Sequence, residues 1–449
     1  MLAGTPAPRR TIAAEMVRLH VPGVSVAVLH GGVIEWAKGY GVTRAGGTPV
    51  TPDTLFQAGS ISKPVTAFAA LRLVQQHRLT LDDDVNAQLK GWKLPTPAGE
   101  HVTLRELLSH TAGTTVQGFP GYAAGVPVPS VDEVLTGRSP ASTKPVVVDT
   151  APGTAWRYSG GGYTVVQKLI GDVTGRPFTQ VLSDEVLLPA GMKRSSFAQP
   201  LAVALLANAA WPHDGTGKPV TGGPHTYPEL AAAGLWSTPG DLLRYAVAVR
   251  DSARGKTGAL LDQAIATEML TPGKGDYGLG LEVRGALADR DFSHGGSNEG
   301  YENFLVAYIG SGDGVAVMTN GAQGNELGLE ITRGVAAAYG WPETFAKHMA
   351  RRFNLASQST NFSVTVNDVP LPEDVEPFPV QFDFHGDYEA DERPDGLVVS
   401  GGWGNEILDD GNSVRWRIRF SNTLIDAEEF RGVSVFCGVK IAQNPFFST

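Results

Sequence analysis

The chain of 449 residues is longer than one typical domain, so it predicts two or three folded units. Its formal net charge of −10, with lysines and arginines scattered singly, excludes the basic patch that binds a phosphate backbone, and no nucleic acid partner is expected. Cys437 is the single cysteine, which excludes intrachain disulfides and paired-cysteine metal sites.

Apolar runs in the sequence are short. None reaches the roughly 18 residues that a membrane-spanning helix needs, and the opening MLAGTPAPRR lacks the apolar core of a signal peptide. We therefore expect a soluble protein with no membrane span, cytoplasmic as the sequence stands, and periplasmic or secreted if an export signal was removed. The sequence leaves a homo-oligomer open.

Two hairpins frame the first three quarters of the chain. After a short helix around 12–19, GVSVAVLHGGVIEWAKGYGV reads as two strands joined at His-Gly-Gly, and NFLVAYIGSGDGVAVMTNG at 303–321 repeats the pattern before the helix ELGLEITRGVAAAYG. The stretch between them, about 76–285, is rich in helix formers, proline and glycine. We predict an α+β fold in which a mainly antiparallel sheet flanked by helices faces a helical subdomain across a cleft.

Beyond residue 350 the helical period disappears. Segments such as FSVTV, RWRIRF and GVSVFCGVKI alternate or run apolar between turns. The predicted organisation is therefore a domain over 1–350 and a C-terminal all-β module over 351–449.

The stretch FQAGSISKPVTAFAALRLV places Ser60 one helical turn before Lys63. A serine at the first turn of a helix has backbone N–H groups beside it, which suits an oxyanion at its acyl carbon. Burial would disfavour the lysine ammonium, so a neutral amine could take the serine proton. Alternatively, Ser60 only caps a buried helix and Lys63 reaches solvent, and this stretch alone leaves both interpretations open.

Two later motifs carry further candidates. Tyr158 in RYSGGGY enters a glycine-rich turn and could relay a proton; the alternative is a tyrosine packed under a loop. In FSHGGSNEGY, Gly295 and Gly296 would let the backbone approach a ligand, with the Ser297 N–H as second oxyanion donor; the alternative is a turn with an exposed histidine, His294.

Together, the Ser-x-x-Lys motif at 60–63, the tyrosine motif at 157–163 and the His-Gly-Gly motif at 294–296 resemble the motifs of a group of serine hydrolases: class C β-lactamases, DD-peptidases, D-aminopeptidases and class VIII carboxylesterases. FQAGSISKP, LLSHTAGT, RYSGGGY and GLWSTPGDL strengthen the resemblance, which covers about 10–345. It implies a β-lactamase-like fold and acyl transfer by Ser60, Lys63 and Tyr158, without cofactor or metal. Ser60 and Ser297 would bind the oxyanion, and the implied substrate-binding residues are His294, Gly295, Gly296, Gly160 and Asn298.

The chain departs from that pattern at two positions. The family's asparagine in the second motif is Gly160, and its third-motif lysine is His294, which is uncharged for much of the time near neutral pH. Both changes weaken the grip on a carboxylate-bearing β-lactam or peptide. We therefore expect a small carboxylic ester or related amide as substrate.

The same motifs leave other functions open. A D-amino-acid-specific peptidase acting on short peptides, a weak β-lactamase, and a non-catalytic penicillin-recognising sensor all fit the same motifs. Two further features are interpreted as structural. Lys256-Thr257-Gly258 spells the third motif outside any strand pattern, and His110 is expected to stabilise a turn.

Overall fold

The computed structural model describes residues 11–285 and 290–341, together with the backbone of four short strands beyond them. The helices are α1 (Ile12–Arg18), α2 (Ser62–Gln75), α3 (Val85–Gln88), α4 (Leu104–Leu108), α5 (Val131–Thr136), α6 (Gly160–Thr174), α7 (Phe178–Leu182), α8 (Val203–Leu206), α9 (Leu230–Ala233), α10 (Pro239–Ala253), α11 (Gln263–Met269) and α12 (Gly324–Tyr339). Short 3-10 turns cover Gly59–Ile61 and Lys274–Asp276, and a π turn covers Ser183–Leu187.

The strands are β1 (Gly23–His30), β2 (Val33–Gly41), β3 (Phe56–Gln57), β4 (Trp236–Ser237), β5 (Glu282–Arg284), β6 (Asp291–Asn298), β7 (Tyr301–Tyr308), β8 (Gly314–Thr319), β9 (Tyr388–Arg393), β10 (Gly396–Gly401), β11 (Val414–Arg415) and β12 (Phe436–Cys437). Within the residues described, no helix is long and apolar enough to cross a membrane.

One antiparallel sheet of six strands organises the main unit, in the order β2-β1-β8-β7-β6-β5. Both predicted hairpins are confirmed, because β1 pairs with β2 and β7 pairs with β8. Strand β1 also pairs with β8, with Val24 opposite Thr319, so the two hairpins lie side by side in the sheet. The intervening chain therefore leaves the sheet and returns to it, and the predicted α+β class with an antiparallel sheet is confirmed.

Helix α2 lies inside the core. Eleven of its 14 residues are buried, and small alanines at 67, 69 and 70 allow neighbouring elements to approach it from several sides. Pro64 is tolerated because the first turn of a helix has no intrahelical N–H bond to lose. A helix buried to this extent holds Lys63, in its first turn, and Ser60, in the 3-10 turn before it, in fixed positions.

Backbone contacts divide the chain into two units, 1–335 and 336–449. In the second unit β9 pairs with β10 and β11 with β12, each antiparallel. The rest of 351–449 lies outside the described residues. The division into a domain over 1–350 and an all-β module over 351–449 therefore stays a prediction.

Candidate active site

Ser60 and Lys63 lie within hydrogen-bonding distance at the start of α2. Ser60 belongs to the 3-10 turn that precedes the helix, and Lys63 Nζ lies 2.9 Å from Ser60 Oγ and 3.0 Å from the carbonyl oxygen of Ala232. Lys63 is only 2% exposed, and this burial lowers its pKa from 10.5 to about 7. The amine is thus held inside the protein and does not reach solvent.

The turn that carries Ser60 packs directly against β6. Gly59 has a left-handed backbone with a φ of 56°, and a Cβ at this position would lie 2.6 Å from the Ser297 nitrogen. A Cβ on Gly296 would lie 2.0 Å from the carbonyl oxygen of Ala58. Both glycines are required for the close approach, and it brings the backbone of Ser297 next to the turn that carries Ser60.

Gly295 does not share this role. A Cβ there would meet only the Asn303 carbonyl oxygen, at 4.0 Å, and the residue is exposed. Of the two glycines expected to permit backbone approach, only Gly296 is needed for packing within the protein. A role for Gly295 in substrate binding stays a prediction.

Tyr158 lies beside the Lys63 amine. Lys63 Nζ is 4.8 Å from the centroid of the Tyr158 ring. Ser159 caps α6 by accepting a hydrogen bond from the Gly162 N–H, and its own N–H donates to His110 Nδ1 at 3.1 Å. These two bonds fix the backbone on which Tyr158 is carried.

His110 lies at the centre of a group of buried and half-buried rings, which we call the aromatic cluster. Its members are His110, Trp156, Tyr158, Tyr163, Tyr277 and His294, and the ring centroids in contact are 4.3–6.4 Å apart. Burial, and then electrostatic interactions with Lys63 and His294, hold the pKa of His110 well below its usual value. His110 lies in a turn, with a φ of 61°, and its ring is also part of the site.

His294 is buried in β6 and is not on an exposed turn. The side chain is 5% exposed, its Nε2 lies 3.0 Å from the Tyr277 hydroxyl, and its Nδ1 lies 2.5 Å from the Gly295 carbonyl oxygen. The sequence reasoning missed Tyr277, because a lone tyrosine in the loop GKGDYGLG carries no periodic signal. Only the contact with His294 identifies it.

Asn298 and Gly160 both make close contacts within the protein, and their roles in substrate binding stay predictions. Asn298 Nδ2 donates to Gln57 Oε1 at 2.8 Å and to the Ala233 carbonyl oxygen at 3.1 Å, so its amide nitrogen ties β6 to its neighbours. A Cβ on Gly160 would lie 2.9 Å from Phe119 Cε2. The Phe119 ring therefore occupies the space into which a side chain at position 160 would grow.

The sequence Lys256-Thr257-Gly258, which we call the decoy motif because it only spells the third motif, lies apart from the described strands. Lys256 follows α10 in a turn, is exposed, and pairs with Asp251 at 2.7 Å. Across the part of the chain that the structure describes, no group of three His, Cys, Asp or Glu side chains could hold a metal ion.

Comparison with known proteins agrees with this geometry. The family model described as Beta-lactamase matches residues 8–339. Penicillin-binding protein 4 of Amycolatopsis lactamdurans is 28% identical over 355 residues, covering 73% of this chain and 89% of that protein. Esterase EstB of Burkholderia gladioli is 28% identical over 298 residues, covering 59% of this chain and 72% of that protein.

The octameric penicillin-binding protein homologue from Pyrococcus abyssi matches with a TM-score of 0.60 at 23% identity, over 87% of this chain and 86% of that chain, which shows a shared fold. The resemblance drawn from the three motifs is confirmed. The chain belongs to the β-lactamase family, with penicillin-binding proteins and an esterase among its relatives, and is of the serine hydrolase type.

Proposed function

We propose that the protein hydrolyses a small carboxylic ester or related amide through an acyl-enzyme on Ser60. The observation that carries the proposal is the buried Lys63 amine, 2.9 Å from Ser60 Oγ with its pKa lowered to about 7. An amine with such a pKa is uncharged in about half of the molecules at neutral pH, so it can accept the serine proton.

In the first step Ser60 Oγ attacks the substrate carbonyl carbon while Lys63 Nζ takes its proton. The oxyanion accepts hydrogen bonds from the backbone N–H groups of Ser60 and Ser297, which the packing of Gly59 against β6 supports. Tyr158, whose ring lies 4.8 Å from Lys63 Nζ, passes the proton to the leaving alcohol or amine. Water then attacks the acyl-enzyme, restores the Ser60 hydroxyl and releases a carboxylic acid.

The preference for an ester rests on what surrounds the acyl position. Phe119 and the Gln117 carbonyl oxygen fill the space beside Gly160, so this part of the site lacks the side-chain amide that would otherwise be there. A buried polar group of an amide substrate would lose a hydrogen-bond partner there, whereas an ester with an apolar acyl group would not. The esterase among the relatives supports the same preference for an ester over an amide.

The test compares three substrates: p-nitrophenyl butyrate, D-alanyl p-nitroanilide and nitrocefin. We expect kcat/KM to be highest for the ester, and Ser60→Ala to abolish turnover. Lys256→Ala serves as the matched control, because Lys256 is exposed and lies in the decoy motif; it should leave kcat/KM unchanged. A clear preference for the D-alanyl amide or for nitrocefin would replace this proposal with the peptidase or β-lactamase alternative.

A separate measurement addresses the sensor alternative. Wild type and Ser60→Ala are treated with a fluorophosphonate, and their intact masses are measured. We expect one adduct on the wild type and none on the variant. No adduct on the wild type would favour a binding protein without turnover.

The role of residues 351–449 is tested by deletion. We propose that they form a β-module separate from the hydrolase domain, and that residues 1–350 alone retain esterase activity. Light scattering of both forms also tests for a homo-oligomer, an arrangement described for the Pyrococcus abyssi homologue. Loss of both folding and activity on deletion would contradict the proposed division.

A further inference from the structure

The hydrogen bonds of His294 define where its protons lie. Nδ1 faces the carbonyl oxygen of Gly295, at 2.5 Å, and a carbonyl oxygen can only accept. Nδ1 must therefore carry a hydrogen. Nε2 faces the hydroxyl of Tyr277, at 3.0 Å, which can either donate or accept.

Two protonation states satisfy these contacts. In a neutral ring, the proton is on Nδ1 and Nε2 accepts the Tyr277 O–H. In an imidazolium, Nε2 also carries a hydrogen and donates to the Tyr277 oxygen. Tyr277 has a second possible acceptor for its proton, because it is hydrogen-bonded to Tyr163, whose own hydroxyl donates to the Leu108 carbonyl oxygen at 2.9 Å. If Tyr277 donates to Tyr163, the His294 ring must be the imidazolium.

The surroundings favour the neutral ring. His294 is 5% exposed, so an imidazolium would lose most of its hydration. The Tyr158 ring lies 6.3 Å from the His294 ring and 4.8 Å from Lys63 Nζ, so a charged His294 would lie near the Lys63 amine, which itself is charged in about half of the molecules at neutral pH. The neutral His110 ring faces the same cluster, and Glu282 faces Tyr277 from β5. An imidazole nitrogen is also a stronger acceptor than the Tyr163 phenol oxygen.

Tyr277 is held rigidly enough to set this state. It is buried at 2% exposure, and its carbonyl oxygen accepts the Gly273 N–H at 3.0 Å. Its ring packs 4.9 Å from His110 and 6.0 Å from Trp156. The hydroxyl is thus fixed beside Nε2.

We propose that Tyr277 is the positioning residue of the third motif: its O–H donates to His294 Nε2 and holds the ring neutral, with its proton on Nδ1. Both ring nitrogens are then hydrogen-bonded within the protein, and the site has no cation at this position. The consequence for substrates rests on the proposed function: uncharged esters are accepted, and an acyl group that ends in a carboxylate finds no positive partner at His294.

The first experiment is 15N NMR of the histidine-labelled full chain at pH 7.5, with His294 assigned by its loss in His294→Gln. We expect a neutral ring with Nδ1 protonated and Nε2 as a hydrogen-bonded acceptor. Tyr277→Phe should move the Nε2 resonance towards that of a nitrogen without a donor. Tyr301→Phe is the matched control, since it removes a buried hydroxyl that donates to the Ala210 carbonyl oxygen at 2.7 Å and should leave the His294 resonances in place.

Three outcomes would overturn the proposal: an imidazolium in the wild type, a proton on Nε2 instead of Nδ1, or His294 resonances that do not change in Tyr277→Phe. The NMR readout does not depend on turnover. Its failure is therefore distinguishable from failure of the proposed esterase activity.

The second experiment compares p-nitrophenyl butyrate with mono-p-nitrophenyl succinate, an ester of similar size with an anionic acyl end. The wild type should prefer the butyrate, and His294→Lys should shift the ratio of kcat/KM towards the succinate. Tyr277→Phe should lower kcat/KM for the butyrate by about 3- to 10-fold, the effect of losing one hydrogen bond. Equal use of both esters by the wild type would contradict a neutral His294.

Discussion

Replacing Lys63 by methionine should inactivate the protein and, at acidic pH, make it more stable. Methionine keeps the length and apolar stem of the lysine but removes the amine. Lys63 is 2% exposed, so the wild type must bury a group that carries a charge in the unfolded chain. The same burial that prepares the amine for catalysis therefore opposes folding.

The magnitude follows from the pKa of Lys63. Burial lowers this pKa from 10.5 to about 7, and at about 1.4 kcal/mol per pKa unit the upper limit of the destabilisation is about 5 kcal/mol. This destabilisation is fully present below pH 7, where the folded protein must bury the charged form, and disappears as the pH rises from 7 towards 10.5, where the unfolded lysine also loses its proton. Methionine in turn loses the bonds to Ser60 Oγ and to the Ala232 carbonyl oxygen, at about 1–3 kcal/mol.

The assay is urea denaturation of wild type and Lys63→Met at pH 6 and pH 10. At pH 6 the variant should be more stable by about 2–4 kcal/mol, and at pH 10 this gain should vanish or reverse. The reason is that only the wild type has an amine at position 63 whose titration changes the free energy of unfolding. The variant should also form no fluorophosphonate adduct. A stability difference that is the same at both pH values, or an acylation rate like that of the wild type, would refute the reasoning.

Further predictions concern the pH profile, a buried acid and the space beside Gly160. Because the Lys63 amine must be neutral, with its pKa at about 7, kcat/KM for an ester should rise about tenfold per pH unit below pH 7 and level off above it; a flat profile from pH 5.5 to 8 would exclude the amine as base. Glu229 is fully buried, neither carboxylate oxygen has a hydrogen-bond partner in another described residue, and burial, only partly offset by its own backbone N–H, raises its pKa from 4.5 to about 7. The wild type therefore loses stability as the pH rises from 4.5 through 7, and Glu229→Gln should be more stable by about 1–3 kcal/mol at pH 8 but not at pH 4.5, as measured by urea denaturation. Gly160→Asn should lower stability by about 1–3 kcal/mol, because its Cβ would lie 2.9 Å from Phe119 Cε2, and Phe119→Ala in the same chain should recover part of that loss. If the two changes simply add in denaturation experiments, Phe119 does not fill this space.

Local patterns in the sequence predicted the parts of the fold that depend on neighbours in the chain. Alternating apolar and polar residues on both sides of the His-Gly-Gly turn at 30–32 predicted the hairpin of β1 and β2. The apolar run after Ser60 predicted a buried helix, which is α2. Both rest on short-range periodicity. The family resemblance came from the order and spacing of three motifs, which are also written in the sequence.

The tertiary structure decided how the site residues are used. Gly296 proved necessary for packing and Gly295 did not, because only the former lies against the Ala58 carbonyl. Asn298 Nδ2 donates hydrogen bonds to Gln57 and Ala233. His294 lies inside the sheet, next to the Tyr277 hydroxyl. None of these partners is close enough in sequence to leave a periodic signal.

By itself, therefore, the sequence determined the family, the class of fold and the three motifs that meet. The structure alone decided that the amine of Lys63 is shielded from water, that Phe119 fills the space beside Gly160, and that a tyrosine hydroxyl faces His294. The physical reason is that a side chain's charge state depends on the water and dipoles around it, and these are supplied by residues distant in the chain that only folding brings together.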